Sequence, residues 1–268
     1  MTDEYRSVSQ INSYQSCPQR YYLERRAKVW QRPAAWSPQG TALHSAAEAY
    51  ELSRHQGSPA SLEDMEAVFS KVYSEKLSKL CEITPNLLYW FSSGPYKGAE
   101  DIPRRYGLGI EQVKRYHHHR NTGEGVFDTV VTDEKNIPFV EREFDFYLGN
   151  VRVKGFIDNV SIRASTTQMT VIDIKSGKDP GDAKQLAVYR DAVASQLGVT
   201  PTAGTYWMGR TGKHVERDLN EFPTQRLVDE FGEVDRLIKA EVFDPDPDDK
   251  KCMFCSVIDS CPIYKGRP

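Results

Sequence analysis

Val171-Ile172-Asp173-Ile174-Lys175-Ser176-Gly177-Lys178 is the stretch on which the reading of this chain turns. Three β-branched apolar residues surround an acid and a base placed two apart. That spacing predicts a buried strand with period two, so Asp173 and Lys175 emerge on one face and Ser176-Gly177 ends the strand. Opposite charges on so apolar a strand must meet at a rim or pocket, because unpaired buried charge is costly. Taken alone, the pair reads as a salt bridge at a sheet edge. The surrounding sequence decides whether it is more.

Working outward, Phe139–Leu148 and Val151–Ile162 alternate as strands about Gly149-Asn150, a two-residue hairpin signal. Met169–Lys175 is the third strand. A turn over 179–182 leads into a helix over 183–197, with Asp182 as its N-cap. Ala203–Met208 and His214–Leu219 read as further strands, followed by a helix over 224–240. Upstream the period is helical. Ser9 caps a segment carrying Ile11, Tyr14 and Cys17 on one face, and helices follow over 40–54 and 61–81. Pro and Gly among aromatics make 84–105 a structured loop or cap. The helical pattern after it interleaves Arg104, Arg105, Lys114, Arg115 and Tyr116, which suits a single-stranded nucleic acid path or a solvated flank. His117, His118 and His119 fan around a helix and are read as surface.

The chain divides into a helical region (1–135), an α/β core (136–243) and a terminal cysteine segment (244–268) packed with the N-terminus as one unit. A stiff acidic linker, 244–249, opens that segment. With 268 residues, 39% hydrophobic and 27% charged, the profile is that of an ordinary globular chain. No apolar run approaches the ~20 residues needed to cross a bilayer, and Met1–Arg6 lacks a signal-peptide layout, so a cytoplasmic protein without membrane contact is expected. A net charge of -3 gives no global basic field, but a local groove can still take a polyanion. Gly204–Thr211 mimics a phosphate-binding loop. Arg210 stands where its lysine belongs, and an ATPase reading is rejected.

Asp158 lies fifteen residues before Asp173, so neighbouring strands can bring both carboxylates to one sheet end. Two acids repel unless a cation lies between them, and hard oxygen ligands select Mg²⁺ or Mn²⁺. Lys175 beside such an ion can orient water and steady charge on a phosphate. His44, sharing a helix face with Glu48, can add a nitrogen ligand and tilt the preference to Mn²⁺. Gln185 and Tyr189, at i and i+4, can position a substrate or fill an ordinary helix face. Of the five cysteines, Cys252, Cys255 and Cys261 crowd the end of the chain. In a reducing compartment this layout argues for metal rather than disulfides. Cys81 reads as a buried apolar filler.

Asp158, Asp173-Ile174-Lys175 and Gln185–Tyr189 together resemble the PD-(D/E)xK nuclease core in its RecB-like branch. Gly40–His44 is similar to that branch's histidine motif, and Ser9–Pro18 to its opening helix. The resemblance implies a restriction-endonuclease-like α/β core, a mixed sheet flanked by helices. It makes His44, Asp158, Asp173 and the Ile174 carbonyl metal ligands, with Lys175 catalytic and Gln185 and Tyr189 auxiliary. Ile157 replaces the family's proline, and the second acid is Asp rather than Glu; neither departure removes a ligand. Cys17, Cys252, Cys255 and Cys261 are similar to the iron–sulfur arrangement of AddB and of CRISPR-associated RecB-like exonucleases. Four thiolates suit [4Fe–4S] or zinc equally by count; the resemblance favours the cluster. The expected function is a metal-dependent exonuclease on single-stranded DNA in recombination, phage replication or CRISPR adaptation. The chain carries no helicase motor, so unwinding needs a partner protein. The alternatives are a non-catalytic DNA-binding subunit and a zinc-stabilised scaffold.

Overall fold

A computed structural model describes residues 4–264; the first three residues of the stretch read for a leader, Met1–Asp3, lie outside it, as do 265–268. The strands are β1 (Thr129–Val130), β2 (Val140–Leu148), β3 (Val151–Ile162), β4 (Met169–Lys175), β5 (Ala203–Met208) and β6 (Lys213–Arg217). They form one mixed sheet in the order β1-β3-β4-β5-β6, with β2 also paired to β3. β2 and β3 are the predicted hairpin, closed by Leu148 opposite Val151 with Gly149 at φ +57°, a conformation that favours glycine. β4 is central rather than an edge. It runs antiparallel to β3 and parallel to β5, to which helix α6 (Lys184–Leu197) connects it.

Period-two alternation along β4 and β5 feeds two separate cores. Val171, Tyr206 and Met208 join one face with α6, α1 (Val8–Ser16) and α7 (Thr224–Lys239). Ile172, Ile174 and Trp207 join the other, against α3 (Trp36–His55), α4 (Leu62–Ile83) and α5 (Gly98–Asn121). The N-terminal helices therefore divide between the two faces of the sheet. α7 is bound through Leu227, Phe231, Val234 and Ile238, whose spacing of four, three and four makes one apolar stripe. Ahead of α1, Arg6 bridges the open side of β3: its N–H donates to the Arg152 carbonyl, and its own carbonyl accepts from Lys154.

Several expectations change. Ser7, not Ser9, caps α1, its hydroxyl accepting from the Gln10 N–H at 3.3 Å. Residues 98–105 are helical: α5 begins at Gly98 and carries Pro103 within its opening turns, where a missing N–H removes one hydrogen bond. His119 is buried, not surface, because it packs against Trp207 and His214. Tyr116 is buried too, donating to Glu51 at 2.8 Å, and cannot line a nucleic acid path. Leu219 leaves β6 for a 3₁₀ turn over Leu219–Glu221. Cys81 is half-buried on α4 rather than a core filler. No helix among the described residues is long and apolar enough to cross a membrane.

Candidate active site

β3 and β4 part after the pair Asn159–Ile172, which leaves Asp158 and Asp173 opposite one another where the ladder ends. The Ile174 N–H donates to Asp158 Oδ2 at 2.7 Å, so the carboxylate takes over a bond the neighbouring strand no longer supplies. On the α6 face, Lys175 Nζ lies 2.9 Å from Asp173 Oδ2, donates to Gln185 Oε1 at 3.0 Å and sits 4.9 Å from the Tyr206 ring centre. The Tyr189 hydroxyl accepts from Gln185 Nε2 at 2.8 Å and donates to Asp173 Oδ1 at 3.3 Å. Apart from the Lys175 ammonium, Asp173 Oδ2 has no polar partner among the described residues. The i, i+4 spacing on α6 thus sets both side chains against the acid–lysine pair.

From the opposite face, α3 sends His44 to the same sheet end. Its Nε2 lies 2.8 Å from the Ile174 carbonyl, while Nδ1 lies 3.0 Å from Glu141 Oε1 and 3.4 Å from Asp158 Oδ2. His44, Glu141 and Asp158 offer ligand atoms within 4.8 Å of one another. Asp173 stands outside this group, turned to Lys175 and Tyr189. Burial is the largest influence on His44 and would lower its pKa, but Asp158, Glu141 and Asp173 outweigh it and push it up to about 10. Asp158 is raised chiefly by burial and further by Asp173 and Glu141, against the pull of His44. Burial raises Asp173 as well, against Lys175. So much negative charge at one sheet end is costly to bury without a cation to share it.

Glu141 was not singled out from the sequence. The hairpin signal could have found it: a turn at 149–150 that closes Leu148 on Val151 places residue 141 opposite Asp158. Glu141 has φ +43°, uncommon outside glycine. Across from it β3 loses its alternation, since Ile157 and Val160 enter the same core. Irregular backbone of this kind re-aims side chains beside functional sites.

The four cysteines named from the sequence meet elsewhere. Cys17, Cys252, Cys255 and Cys261 line a cavity of about 650 Å³ between the end of α1 and the terminal segment. Cys17 Sγ accepts from the Asp246 N–H at 3.4 Å. Among the described residues, no three of these sulfurs lie within 4.8 Å of one another. Around the cavity, Ser256 donates to Glu24 at 2.6 Å and its carbonyl accepts from the Arg32 N–H at 2.7 Å, so further hydrogen bonds join the N-terminal and C-terminal segments.

Opposed carboxylates delivered by two strands, with a lysine beside them, can hold a divalent cation next to a group that steadies charge on a phosphate oxygen. The model of the PD-(D/E)XK nuclease superfamily matches residues 5–262, and the chain belongs to that superfamily. It is similar to the gene 69 proteins of Mycobacterium phage L5 (41% identity) and Mycobacterium phage D29 (42%), with 97% of both chains covered in each case. A solved structure titled SSO0001 aligns over 91% of this chain and 94% of its own at 14% identity and a TM-score of 0.35, a level from which nothing is transferred.

Proposed function

We propose that the chain is a metal-dependent DNA exonuclease acting on single-stranded ends. The observation that carries this is the convergence of Lys175, Asp173 and Asp158 at one sheet end, with His44 and Glu141 closing on Asp158 from across the sheet. The donor set, oxygen-rich with one imidazole, fits Mn²⁺ or Mg²⁺. His44, Glu141, Asp158, Asp173 and the Ile174 carbonyl would hold the ion. When bound, it supplies charge to the phosphoryl oxygen and lowers the pKa of a water. Lys175, held between Asp173 and Gln185, orients that water and donates to the oxygen on which charge develops. Tyr189 and Gln185 fix the direction of the acid and the ammonium.

The cysteine cavity belongs to the same reading. Cys17, Cys252, Cys255 and Cys261 line one cavity, and their resemblance to the iron–sulfur arrangement of RecB-like nucleases favours a [4Fe–4S] cluster over a zinc scaffold. Because both relatives come from phages, recombination or phage replication is favoured over CRISPR adaptation, in the cytoplasm, with a helicase or recombination protein as partner.

The test is a time course on single strands labelled at either end, with Mn²⁺, Mg²⁺ or chelator present. Stepwise shortening that stops with chelator is expected. Absence of cleavage with either ion would overturn the catalytic reading and favour a DNA-binding subunit. Anaerobically purified protein should be brown with iron; colourless protein carrying zinc would overturn the cluster.

A further inference from the structure

A second charged cluster lies beside the catalytic strand, on α5 and the β5–β6 turn, which the chemistry does not use. Lys175 is followed by Ser176, whose carbonyl accepts from Gln112 Nε2 at 2.8 Å, while the Lys175 carbonyl accepts from the Gly209 N–H at 2.8 Å. These bonds seat the β5–β6 turn on α5 next to the catalytic lysine. Contact there is close: a Cβ on Gly209 would meet Gln112 at 3.1 Å. Arg115 reaches from α5 to the Gly209 carbonyl at 3.3 Å.

Arg210 is the next residue of that turn. Among the described residues no carboxylate pairs with it, and its buried Nε has no hydrogen-bond partner. Burial, then the positive charges of Arg105, Arg104 and Arg115, pull its pKa down. Arg104 and Arg105 share one carboxylate, Asp101. Asp101 thus serves two of these guanidiniums and no acid pairs with Arg210 among the described residues, in a chain whose net charge is -3. Such a concentration is costly to assemble unless an anion shares it. The aromatic surroundings narrow the anion's class. Arg104 lies 4.3 Å over the Tyr96 ring, which is 42% exposed, and Arg105 lies 5.5 Å over Trp36. Guanidiniums interleaved with aromatic faces suit a sugar–phosphate backbone with unstacked bases.

We propose that Arg210 and Arg115, backed by Arg104 and Arg105, form a phosphate clamp that holds single-stranded DNA as it enters the site at Lys175. The clamp rests on the nuclease reading for its substrate class but not for its test. It also gives the turn that imitates a phosphate-binding loop a use: Arg210 takes phosphate as a side chain, not through a nucleotide cradle.

The experiment measures fluorescence anisotropy of a labelled dT20 strand on the Lys175→Ala protein in chelator, from 50 to 300 mM NaCl. No cleavage is needed. Arg210→Ala should weaken binding about tenfold at 100 mM salt and reduce the slope of log affinity against log salt by about 0.7, the value for one single-strand phosphate contact. Arg115→Ala should act alike, and Arg210→Lys should keep the slope. Unchanged affinity and slope in Arg210→Ala, or stronger binding of U20 than dT20, overturns the clamp. A reduced slope in a protein that never cleaves would sustain the clamp and remove the nuclease reading instead. Cleavage by the wild type with an unchanged slope would do the reverse.

Discussion

Asp158 Oδ2 accepts the Ile174 N–H at 2.7 Å, so the first acid of the site is anchored by the backbone of the strand that carries the second. The two carboxylates cannot drift apart without breaking a buried hydrogen bond, and the Ile174 carbonyl on the same peptide segment is left facing His44. This single contact sets the spacing of the whole centre. Replacing Asp158 with Ala removes a proposed ligand and leaves a buried donor unsatisfied, a penalty of ~1–3 kcal/mol. Loss of cleavage with a lowered unfolding midpoint is expected; a fully active variant would sink the assignment.

Lys175→Ala separates chemistry from folding. Cleavage rate should fall about 10²- to 10³-fold, the range for removing one donor that stabilises developing charge. Asp173 then loses its ion-pair partner, so a modest fall in stability accompanies it. Rates from the end-labelled assay and a urea titration check both, and wild-type turnover would remove Lys175 from the mechanism.

Glu141→Gln should weaken Mn²⁺ binding roughly 10- to 100-fold, as loss of groups that tune a metal site does. Isothermal titration measures this, with Glu143→Gln as the neighbouring control. Glu141→Gly should also lose affinity yet gain stability of about 1 kcal/mol, because glycine tolerates φ +43°. Equal affinity for Glu141→Gln and wild type would take residue 141 out of the ligand set.

Acid should destabilise the fold through a histidine pair set two strands across from Ile174. His119 and His214 meet Nε2 to Nε2 at 3.3 Å. Burial, helped by Arg120 and Arg163, holds them down to about 4 and about 3. Unfolded histidine titrates near 6.5, so below that pH the unfolded chain binds protons the folded chain refuses. Stability from this pair is complete above pH 6.5 and lost as pH falls towards 4, at about 1.4 kcal/mol per unit per histidine. Urea titrations of wild type and His214→Gln at pH 7, 6 and 5 should diverge by that slope. Parallel pH profiles would refute it.

Gly109 tests the packing of the helical layer. A Cβ there would meet Phe69 Cζ at 2.0 Å, in the core shared by α4 and α5. Gly109→Ala should destabilise by ~1–3 kcal/mol despite alanine's better helix propensity. A gain in stability would show that the ring moves aside freely.

The sequence by itself determined the strand carrying Asp173 and Lys175, the hairpin before it and the α6 face of Gln185 and Tyr189. Those features depend on residue spacing of two, or of three and four, within one element, and such periods are printed in the chain. Tertiary structure decided the rest. Whether Glu141 stood beside Asp158 depended on a hairpin register together with a left-handed backbone angle, and whether His119 was surface depended on Trp207 and His214 arriving from β5 and β6. The arginine cluster is likewise a product of packing, since Arg104, Arg105 and Arg115 share α5 while Arg210 comes from the turn after β5, which Gly209 seats against that helix. Contacts between distant segments cancel and add charges in ways no local period records.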